Sequence, residues 1–513
     1  MKNNLLFLSA IFLFLTCCHD LGADHEWDDR DPHSFAPAST PANSAADDDE
    51  APPRIIELVV DPPPAGNPLA RRLRIRTDAA CSLGGYVTTD TEPGYGPAFN
   101  EPTLPSTVHE LWFVGLIDNR TFDYVVHLAD DPSVELAAGS FDTPHLPLYV
   151  PRPIFLRNSE EAAPDIWLAA NINARSYTDS VIADRVGYLM LLDRKGRPRF
   201  MYKHPQIPTY GVIRFRNGNL CFNDEENIWE VDPYGNAWMN FPLHLNEPYF
   251  YASHHQHYVA DYDAETALTL FNLMGPGLWC DMTTPTQRAV GDGVAEVDRA
   301  GNELWRWSVF DHLDVIRPED QDLFYCIVPF WGLATVDFSH GNSVVPLPEQ
   351  DAFLLSFRNL KRIVKVDKTT GDVLWQLGAG LDFTWIGDEP EKERWFLYQH
   401  DPQWLGNNRL LLFDNGNCRY DFNCIAGPWS RAMELEIDED AMNVRLVWEH
   451  RVPFSPAMGN VERMANGNTL VCSGATGEVY EVTPDGREVW SMNLPPLEIS
   501  TTIHTAPAYW VYE

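Results

Sequence analysis

One hairpin signature recurs six times after Pro151 in this chain. A strand ending in Asp, or an equivalent residue, turns through a short loop, usually Gly-containing, into a strand that carries an aromatic side chain. Met190-Leu191-Leu192-Asp193 leads to Phe200, Ile228-Trp229-Glu230-Val231-Asp232 to Trp238, and Val294-Ala295-Glu296-Val297-Asp298 to Trp305. The series continues with Ile363-Val364-Lys365-Val366-Asp367 and Trp375, Met433-Glu434-Leu435-Glu436-Ile437-Asp438 and Trp448, and Tyr480-Glu481-Val482 and Trp490. Turns such as Pro233-Tyr234-Gly235, Thr370-Gly371-Asp372 and Pro484-Asp485-Gly486 have the chemistry that tight hairpins need. Units recurring at roughly forty- to seventy-residue intervals cannot each bury an apolar face alone, so they must stack on one another. The pattern predicts a six-bladed β-propeller over residues 150–513, some blades enlarged by insertions. A second run, Arg214-Phe215-Arg216-Asn217-Gly218-Asn219-Leu220, with echoes at Asn407-Asn408-Arg409-Leu410 and Asn466-Gly467-Asn468-Thr469-Leu470, reads as a further strand of each blade. A two-sheet β-helix would need shorter and more regular rungs.

Upstream, residues 54–147 alternate apolar and polar positions between Pro, Gly and Asp turns. The strands are Ile55-Ile56-Glu57-Leu58-Val59-Val60, Leu73-Arg74-Ile75-Arg76, His109-Glu110-Leu111-Trp112-Phe113-Val114 and Tyr124-Val125-Val126-His127-Leu128. This predicts a small antiparallel sandwich of the immunoglobulin or fibronectin kind, a common spacer or docking module. The expected fold is therefore all-β throughout. At 513 residues the chain exceeds one ordinary core, and its 17 Trp supply the large apolar surfaces that two folded parts require.

A net charge of −37 makes the average surface repel phosphate backbones, which argues against nucleic acid as a partner. Part of that charge is local: residues 19–53 are acidic and rich in Ala, Pro and Ser, the composition of a solvated tether. Before it, Leu5 to Thr16 is too short to span a bilayer and reads as a signal-peptide core within residues 1–18. Leu15-Thr16-Cys17-Cys18 resembles a bacterial lipoprotein cleavage box, with Cys18, or else Cys17, as the lipidated residue. The expectation is a protein of the bacterial cell envelope, periplasmic or an outer-membrane lipoprotein, meeting the membrane only through this anchor. A homodimer is left open. The nine cysteines contain no zinc-type spacing, so no metal is expected. Cys418 and Cys424 bracket one polar loop and either form a local disulfide or remain free thiols. Cys81, Cys221, Cys280, Cys326 and Cys472 read as core residues.

Three histidines stand just upstream of short apolar runs that contain an aromatic residue. His255 precedes Ala267-Leu268-Thr269-Leu270-Phe271, His340 precedes Ala352-Phe353-Leu354-Leu355-Ser356-Phe357-Arg358, and His400 precedes Leu410-Leu411-Leu412-Phe413. Equivalent positions of a repeat arranged about an axis point at one place, so the three are candidates for a single site. His254 and His257 flank His255, and which of these faces the axis is open. A single histidine would usually be a hydrogen-bonded structural imidazole; the repetition favours a site. Imidazoles with an arginine and no nearby acid suit an oxyanion, because guanidinium offers a rigid fork to tetrahedral oxygens.

Asp337-Phe338-Ser339-His340-Gly341-Asn342-Ser343, the strand closing on Ser356-Phe357-Arg358, and Val366-Asp367-Lys368-Thr369-Thr370-Gly371-Asp372-Val373-Leu374-Trp375 resemble the bacterial arylsulfate sulfotransferase family. The likeness continues through His400, Phe413-Asp414-Asn415-Gly416 and Ser430-Arg431-Ala432-Met433-Glu434. It implies an N-terminal sandwich before a six-bladed propeller, and sulfuryl transfer from an aryl sulfate donor to a phenol acceptor without a nucleotide sulfate or any other cofactor. Carried over by position, His400 is the sulfurylated nucleophile, and His255, His340, Asn342 and Arg358 hold the sulfuryl oxygens. His254 and His257 join Asn342 as substrate-binding candidates. The chain departs from the family in Ser253-His254-His255-Gln256-His257, which has no acid after the histidine pair, and in Cys418 and Cys424, which follow the nucleophile rather than precede it.

On this reading a neutral His400 nitrogen attacks sulfur in line with the leaving phenolate, giving a covalent intermediate and ping-pong kinetics. Arg358 and protonated imidazoles stabilise the equatorial oxygens. His255 or His340 moves the proton, and the sequence does not divide those roles. Asp401 lies beside His400, but strand alternation points its side chain away. Trp331, Phe338, Tyr398 and Trp385 either stack on an aryl substrate or pack the core. The competing readings are a non-catalytic anion- or partner-binding propeller lipoprotein, a sulfate-ester hydrolase using the same site, and a quinone-dependent dehydrogenase. The last would need clustered calcium-ligand carboxylates, which are not evident.

Overall fold

The computed structural model describes residues 52–89, 102–146, 150, 152–153, 155–162, 167–178, 181–205, 209–224, 226–243, 249–279, 285–313, 335–420, 427–494 and 502–508. The signal peptide, the acidic tether apart from residues 52–53, Cys280, Trp331, Cys326 and Cys424 lie outside these residues. The chain divides into two compact units, a smaller one that includes Pro68–His145 and a larger one that includes Ala65–Asn67 and Leu146–Glu513.

The smaller unit holds β1 (Ile55–Val60), β2 (Arg71–Cys81), β3 (Leu83–Thr88), β4 (Ser106–Phe113), β5 (Thr121–Leu128) and β6 (Glu135–Asp142). They form two antiparallel sheets, β1-β2-β4 and β3-β5-β6. Leu73 and Ile75 of β2, Leu111 and Phe113 of β4, Val87 of β3 and Phe122, Tyr124 and Val126 of β5 meet in one core. The period-2 alternation read in the sequence is what sends these residues inward and Arg72, Arg74 and Arg76 outward.

The larger unit contains six sheets among the described residues. The first joins β8 (Trp167–Thr178), β9 (Val181–Leu192) and β10 (Pro198–His204); β7 (Phe155–Asn158) precedes them but pairs elsewhere. The second is β11 (Tyr210–Arg214), β12 (Leu220–Asn223), β13 (Asn227–Val231) and β14 (Ala237–Pro242). The third is β15 (Tyr249–Tyr258), β16 (Thr266–Trp279), β17 (Pro285–Asp298) and β18 (Glu303–Ser308), with β19 (Thr335–Asp337) added in parallel to β17. The fourth is β20 (Gly341–Leu347), β21 (Ala352–Phe357), β22 (Arg362–Asp367) and β23 (Val373–Leu377). The fifth is β25 (His400–Trp404), β26 (Arg409–Asp414), β27 (Ser430–Asp438) and β28 (Asn443–Val452), with β24 (Thr384–Trp385) at its edge. The sixth is β29 (Asn460–Arg463), β30 (Thr469–Ser473), β31 (Glu478–Val482) and β32 (Glu488–Asn493).

The two ends of this unit are stitched crosswise. The last strand, β33 (Thr502–Ala508), pairs with β8 of the first sheet, and the first strand, β7, pairs with β32 of the sixth. The leading strands adjoin in a cycle: β33 with β11, β11 with β15, β15 with β20, β20 with β25, β25 with β29, and β29 with β33. Sheets packed on both faces need apolar residues at consecutive positions. In β16, Ala267 and Phe271 enter the core shared with the second sheet, whereas Leu268 and Leu270 enter the core shared with the fourth.

All six repeated hairpins are present as the third and fourth chain strands of their sheets or, in the first sheet, as β9 and β10. The terminal Asp has a specific job. Asp232 accepts the backbone N–H groups of Tyr234 and Asn236, both at 2.9 Å, while Gly235 takes φ 87°, a region closed to most side chains. In the sixth hairpin Thr483 replaces Asp and accepts from the Arg487 N–H at 3.0 Å. The Asn-Gly-Asn run at 217–219 is not a strand as expected. It is the turn between β11 and β12, and 407–408 and 466–468 are the corresponding turns between β25 and β26 and between β29 and β30. Gly218, Gly467 and the Asn407-Asn408 pair adopt positive φ there, which interrupts an extended strand.

Candidate active site

The candidate histidines sit where the leading strands break register. In β15, Ser253 pairs with Phe271 and the next pair is His257 with Thr269, so His254, His255 and Gln256 bulge between them. In β20 a bulge falls at Asn342, between the pairs Gly341–Phe357 and Ser343–Ser356. In β25 His400 pairs with Phe413 and the ladder resumes at Gln403. His255 and His340 both take left-handed backbone conformations, φ 56° and 48°. For a residue with a Cβ this costs on the order of 1–3 kcal/mol, and such strain concentrates at functional sites.

The bulges bring His255 and His340 together, with ring centroids 4.9 Å apart and planes at 77°. Tyr210 of β11 lies parallel to the other side of His255, 6.2 Å away. His254 packs edge-on to His255 at 5.1 Å, and their Nδ1 atoms are 2.9 Å apart. His400 is linked to this group through its own chain: Asn342 donates through Nδ2 to the Gln399 carbonyl at 2.7 Å, and the Arg358 guanidinium lies 5.0 Å over the Tyr398 ring.

His400 is 1% exposed. Its Nδ1 lies 2.7 Å from Asn415 Oδ1 and 3.2 Å from the Tyr398 carbonyl. Asn415 donates through Nδ2 to the Ser455 and Met458 carbonyls, both at 2.8 Å, which assigns its oxygen to the histidine. Two acceptors at Nδ1 place the proton of the neutral ring there and the lone pair on Nε2. Arg358 donates to Asn359 Oδ1 and to the Pro456 carbonyl, each at 3.0 Å, and among the described residues it forms no ion pair.

The expectation that the imidazoles lack nearby acids is corrected. The Asp337 carboxylate is hydrogen-bonded to His340 Nδ1, and Asp292 Oδ1 lies 3.0 Å from His254 Nε2. Burial would raise the Asp292 carboxyl, but the hydrogen bonds from His254, the Ser339 hydroxyl and the Gly341 N–H outweigh it and hold it below the ordinary carboxylate range. Asp337 stands only three residues before His340 and was legible as a neighbour; Asp292, on β17, was not. A flanking signal existed in Gly291-Asp292-Gly293: a Cβ on Gly293 would come within 2.6 Å of Phe271, and one on Gly291 within 2.5 Å of Phe310.

His257 stays out of the group. Its ring is buried, with Nδ1 3.1 Å from Asn223 Nδ2 and Nε2 3.4 Å from Cys221 Sγ, which places it between the second and third sheets. Burial pushes its imidazole down to about 3. An unfolded chain binds that proton near the ordinary value of 6.5, so His257 costs stability as pH falls from 6.5 toward about 3. Urea midpoints across this window should fall by up to about 1.4 kcal/mol of stability per pH unit from this residue. His257→Gln should flatten that slope, and an unchanged slope would show that the ring is charged in the fold.

Asp401 has φ 49° and accepts the Val461 N–H at 3.1 Å, so its carboxylate reaches the next sheet. Of the aromatic candidates, Phe338 is buried against Phe310 and Trp385 packs on Trp395. Tyr398 carries Arg358 and Lys361 near its ring. Cys418 is disulfide-bonded to a partner outside the described residues, while Cys81, Cys221 and Cys472 are free. Among the described residues, no group of three or more His, Cys, Asp or Glu side chains converges to hold a metal.

Three solved structures are weakly similar to this chain. A protein of unknown function from Bacteroides caccae is 10% identical with a TM-score of 0.36, the match covering 66% of this chain and 98% of that one. A virginiamycin B lyase from Staphylococcus aureus is 9% identical with a TM-score of 0.31, over 67% and 89%. A putative 6-phosphogluconolactonase from Bacteroides fragilis is 8% identical with a TM-score of 0.31, over 84% and 97%. Likenesses at this level carry no argument. No curated protein matches the chain. The family model described as arylsulfotransferase (ASST) does match, over residues 158–509, which span all the candidate histidines, Asn342 and Arg358; the chain belongs to the arylsulfotransferase family.

Proposed function

We propose that this protein transfers a sulfuryl group from an aryl sulfate ester to a phenol by a ping-pong mechanism, with His400 as the sulfurylated residue and no nucleotide donor. The six sheets of the larger unit are the blades of one propeller, and the smaller unit is an immunoglobulin- or fibronectin-like sandwich. The cyclic adjacency of the leading strands and the crosswise stitching of β7 and β33 support the propeller. The N-terminal residues that resemble a lipoprotein signal support a place in the bacterial envelope.

The observation that carries the chemical reading is the clamp on His400. With Nδ1–H held by two carbonyl oxygens, the Nε2 lone pair is the one available to attack sulfur. Sulfurylation makes the ring more positive, and the Asn415 and Tyr398 oxygens are already oriented to stabilise that charge without reorganisation. Arg358, with no carboxylate partner among the described residues, is suited to the anionic sulfuryl oxygens. His340 stands close enough to His255 to share that task. Asn342 holds the strand before His400 through the Gln399 carbonyl, so its contribution to oxygen binding is secondary to positioning.

The direct test is mass spectrometry of protein quenched rapidly after mixing with 4-nitrophenyl sulfate. The peptide containing His400 should gain a sulfuryl group, dependent on donor and discharged by phenol. An unmodified His400 peptide during active turnover would rule the mechanism out.

A further inference from the structure

Asp292 is buried on β17, and each of its carboxylate oxygens has partners. Oδ2 accepts the Gly341 N–H at 2.6 Å and the Ser339 hydroxyl; Oδ1 meets Asn272 Nδ2 at 3.1 Å and His254 Nε2 at 3.0 Å. The approach requires the glycine, since a Cβ on Gly341 would stand 3.0 Å from the Asp292 Cβ. From His254 the line continues through the Nδ1 contact of 2.9 Å to His255, whose ring abuts His340. None of this chain of contacts leads to solvent-exposed charge. It leads from a buried acid to the ring beside the proposed reaction centre.

We propose that Asp292 and His254 are positioning residues that set which nitrogen of His255 exchanges protons, making His255 the acid and base of the transfer. The proposal rests on the sulfohistidine reading of His400. An N–H bond to an ionised carboxylate is about twice as strong as one between neutral groups. The proton on His254 therefore sits at Nε2, facing Asp292. Asn272 Nδ2 is also 2.9 Å from His254 Nε2; of its two hydrogens one is directed at Asp292 Oδ1, and the other points away from the ring when Nε2 carries its own. His254 Nδ1 is then an acceptor, His255 Nδ1 carries its donor hydrogen, and His255 exchanges protons only at Nε2.

The transfer balances with one proton. The His400 Nε2 lone pair forms the N–S bond while the aryl O–S bond breaks, its electron pair leaving on the phenolate oxygen, which takes the proton from His255 Nε2. In the second half, an acceptor phenol gives its proton to His255 Nε2 as its oxygen bonds to sulfur, and the N–S electron pair returns to His400 Nε2. Asp292 stays ionised throughout and compensates the charge on His255 through His254. The groups facing this pair are Tyr210 from β11, Asn272 from β16, Asp292 from β17, and Asp337, Ser339 and His340 from β19 and the turn into β20.

Asp292→Asn tests the idea because its geometry is directional. Ser339 and Gly341 both donate toward Oδ2, so the amide oxygen takes that side and the amide NH2 faces His254 Nε2. This reverses the donor order along both histidines and leaves a neutral His255 protonated at Nε2. Stopped-flow measurement should show His400 sulfurylation from 4-nitrophenyl sulfate falling far less than the second half-reaction, since nitrophenolate leaves without a proton. Discharge of the intermediate by phenol should slow by about 10²–10⁴-fold, with its basic pH dependence flattened. His254→Gln leaves the Ser339 and Gly341 bonds in place and should show the same selective loss, so it reads the relay even where Asp292→Asn fails to fold. An undiminished discharge step in His254→Gln overturns the relay alone. Wild-type protein that turns over without a His400 adduct overturns the sulfohistidine reading instead.

Discussion

His400→Asn is expected to abolish transfer from 4-nitrophenyl sulfate to phenol, with a loss on the order of 10⁴–10⁶-fold, while the protein remains folded. Removing the nucleophile of a covalent mechanism removes the intermediate itself, which is why such losses exceed those from single hydrogen-bond donors. Asparagine has no ring lone pair, and its amide nitrogen is delocalised and non-nucleophilic. The structural cost is modest. Asn415 Oδ1 loses a buried donor, on the order of 1–3 kcal/mol, but Asn415 keeps both bonds from Nδ2 to the Ser455 and Met458 carbonyls. A thermal melt beside the rate assay separates the two effects. Transfer retained at a tenth or more of the wild-type rate would exclude His400 as the sulfurylated residue.

The largest expected loss of stability comes from Asp414→Ala, one residue before the asparagine that orients His400. Asp414 is fully buried, and its Oδ2 receives Arg419 Nη2 and, at 2.8 Å, Arg431 Nε. Its Oδ1 accepts the Leu397 N–H at 2.9 Å, fixing the segment that runs into Tyr398 and His400. Both guanidinium groups are 1% exposed. Without the carboxylate, Arg431 keeps Glu449 at 2.5 Å and the Glu393 carbonyl at 2.7 Å. Among the described residues Arg419 keeps only neutral acceptors, the Lys392 and Trp395 carbonyls at 2.6 and 3.1 Å, and the Trp429 ring. Burial already pushes the Arg419 guanidinium below its usual range, with Asp414 the main opposing influence. Breaking a buried pair from one side costs about 3–5 kcal/mol, because the remaining charge is neither hydrated nor matched. Urea unfolding of the full chain should show that loss, and activity should fall with it because the Leu397 anchor is gone. A shift below about 1 kcal/mol would show that water reaches the arginines.

The legible part of the molecule was the part governed by short-range rules. An Asp at a strand end followed by a tight loop is a local statement about turn hydrogen bonds, and all six hairpins follow from it. The apolar runs of β16, β21 and β26 likewise announced strands. His255 and His340 were found as equivalents of one repeat, and the structure sets their rings against each other. The same rules misread the Asn-Gly-Asn turns as strands, because the flanking residues Phe215 and Leu220 are apolar enough to extend the pattern across the reversal.

The site's polar supports were not legible, because they are assembled by contacts between sheets. Asp292 is distant in sequence from both His254 and Ser339, and a lone Asp in a glycine-flanked strand has no periodicity to reveal its partner. His257, two residues from His255, illustrates the converse. Proximity in sequence suggested a shared role, but the bulge at His254–Gln256 returns the strand to its ladder and carries His257 into the packed boundary with Cys221 and Asn223.

The sequence by itself determined an all-β chain, a repeated hairpin and the set of histidines from which a site could be drawn, since turn chemistry and strand alternation depend only on neighbouring residues. The tertiary structure alone decided which histidines meet, which nitrogen each exposes and which acids stand behind them. Those features depend on bulges that tilt side chains by one position and on carboxylates delivered from other strands, and neither is encoded at any fixed spacing along the chain.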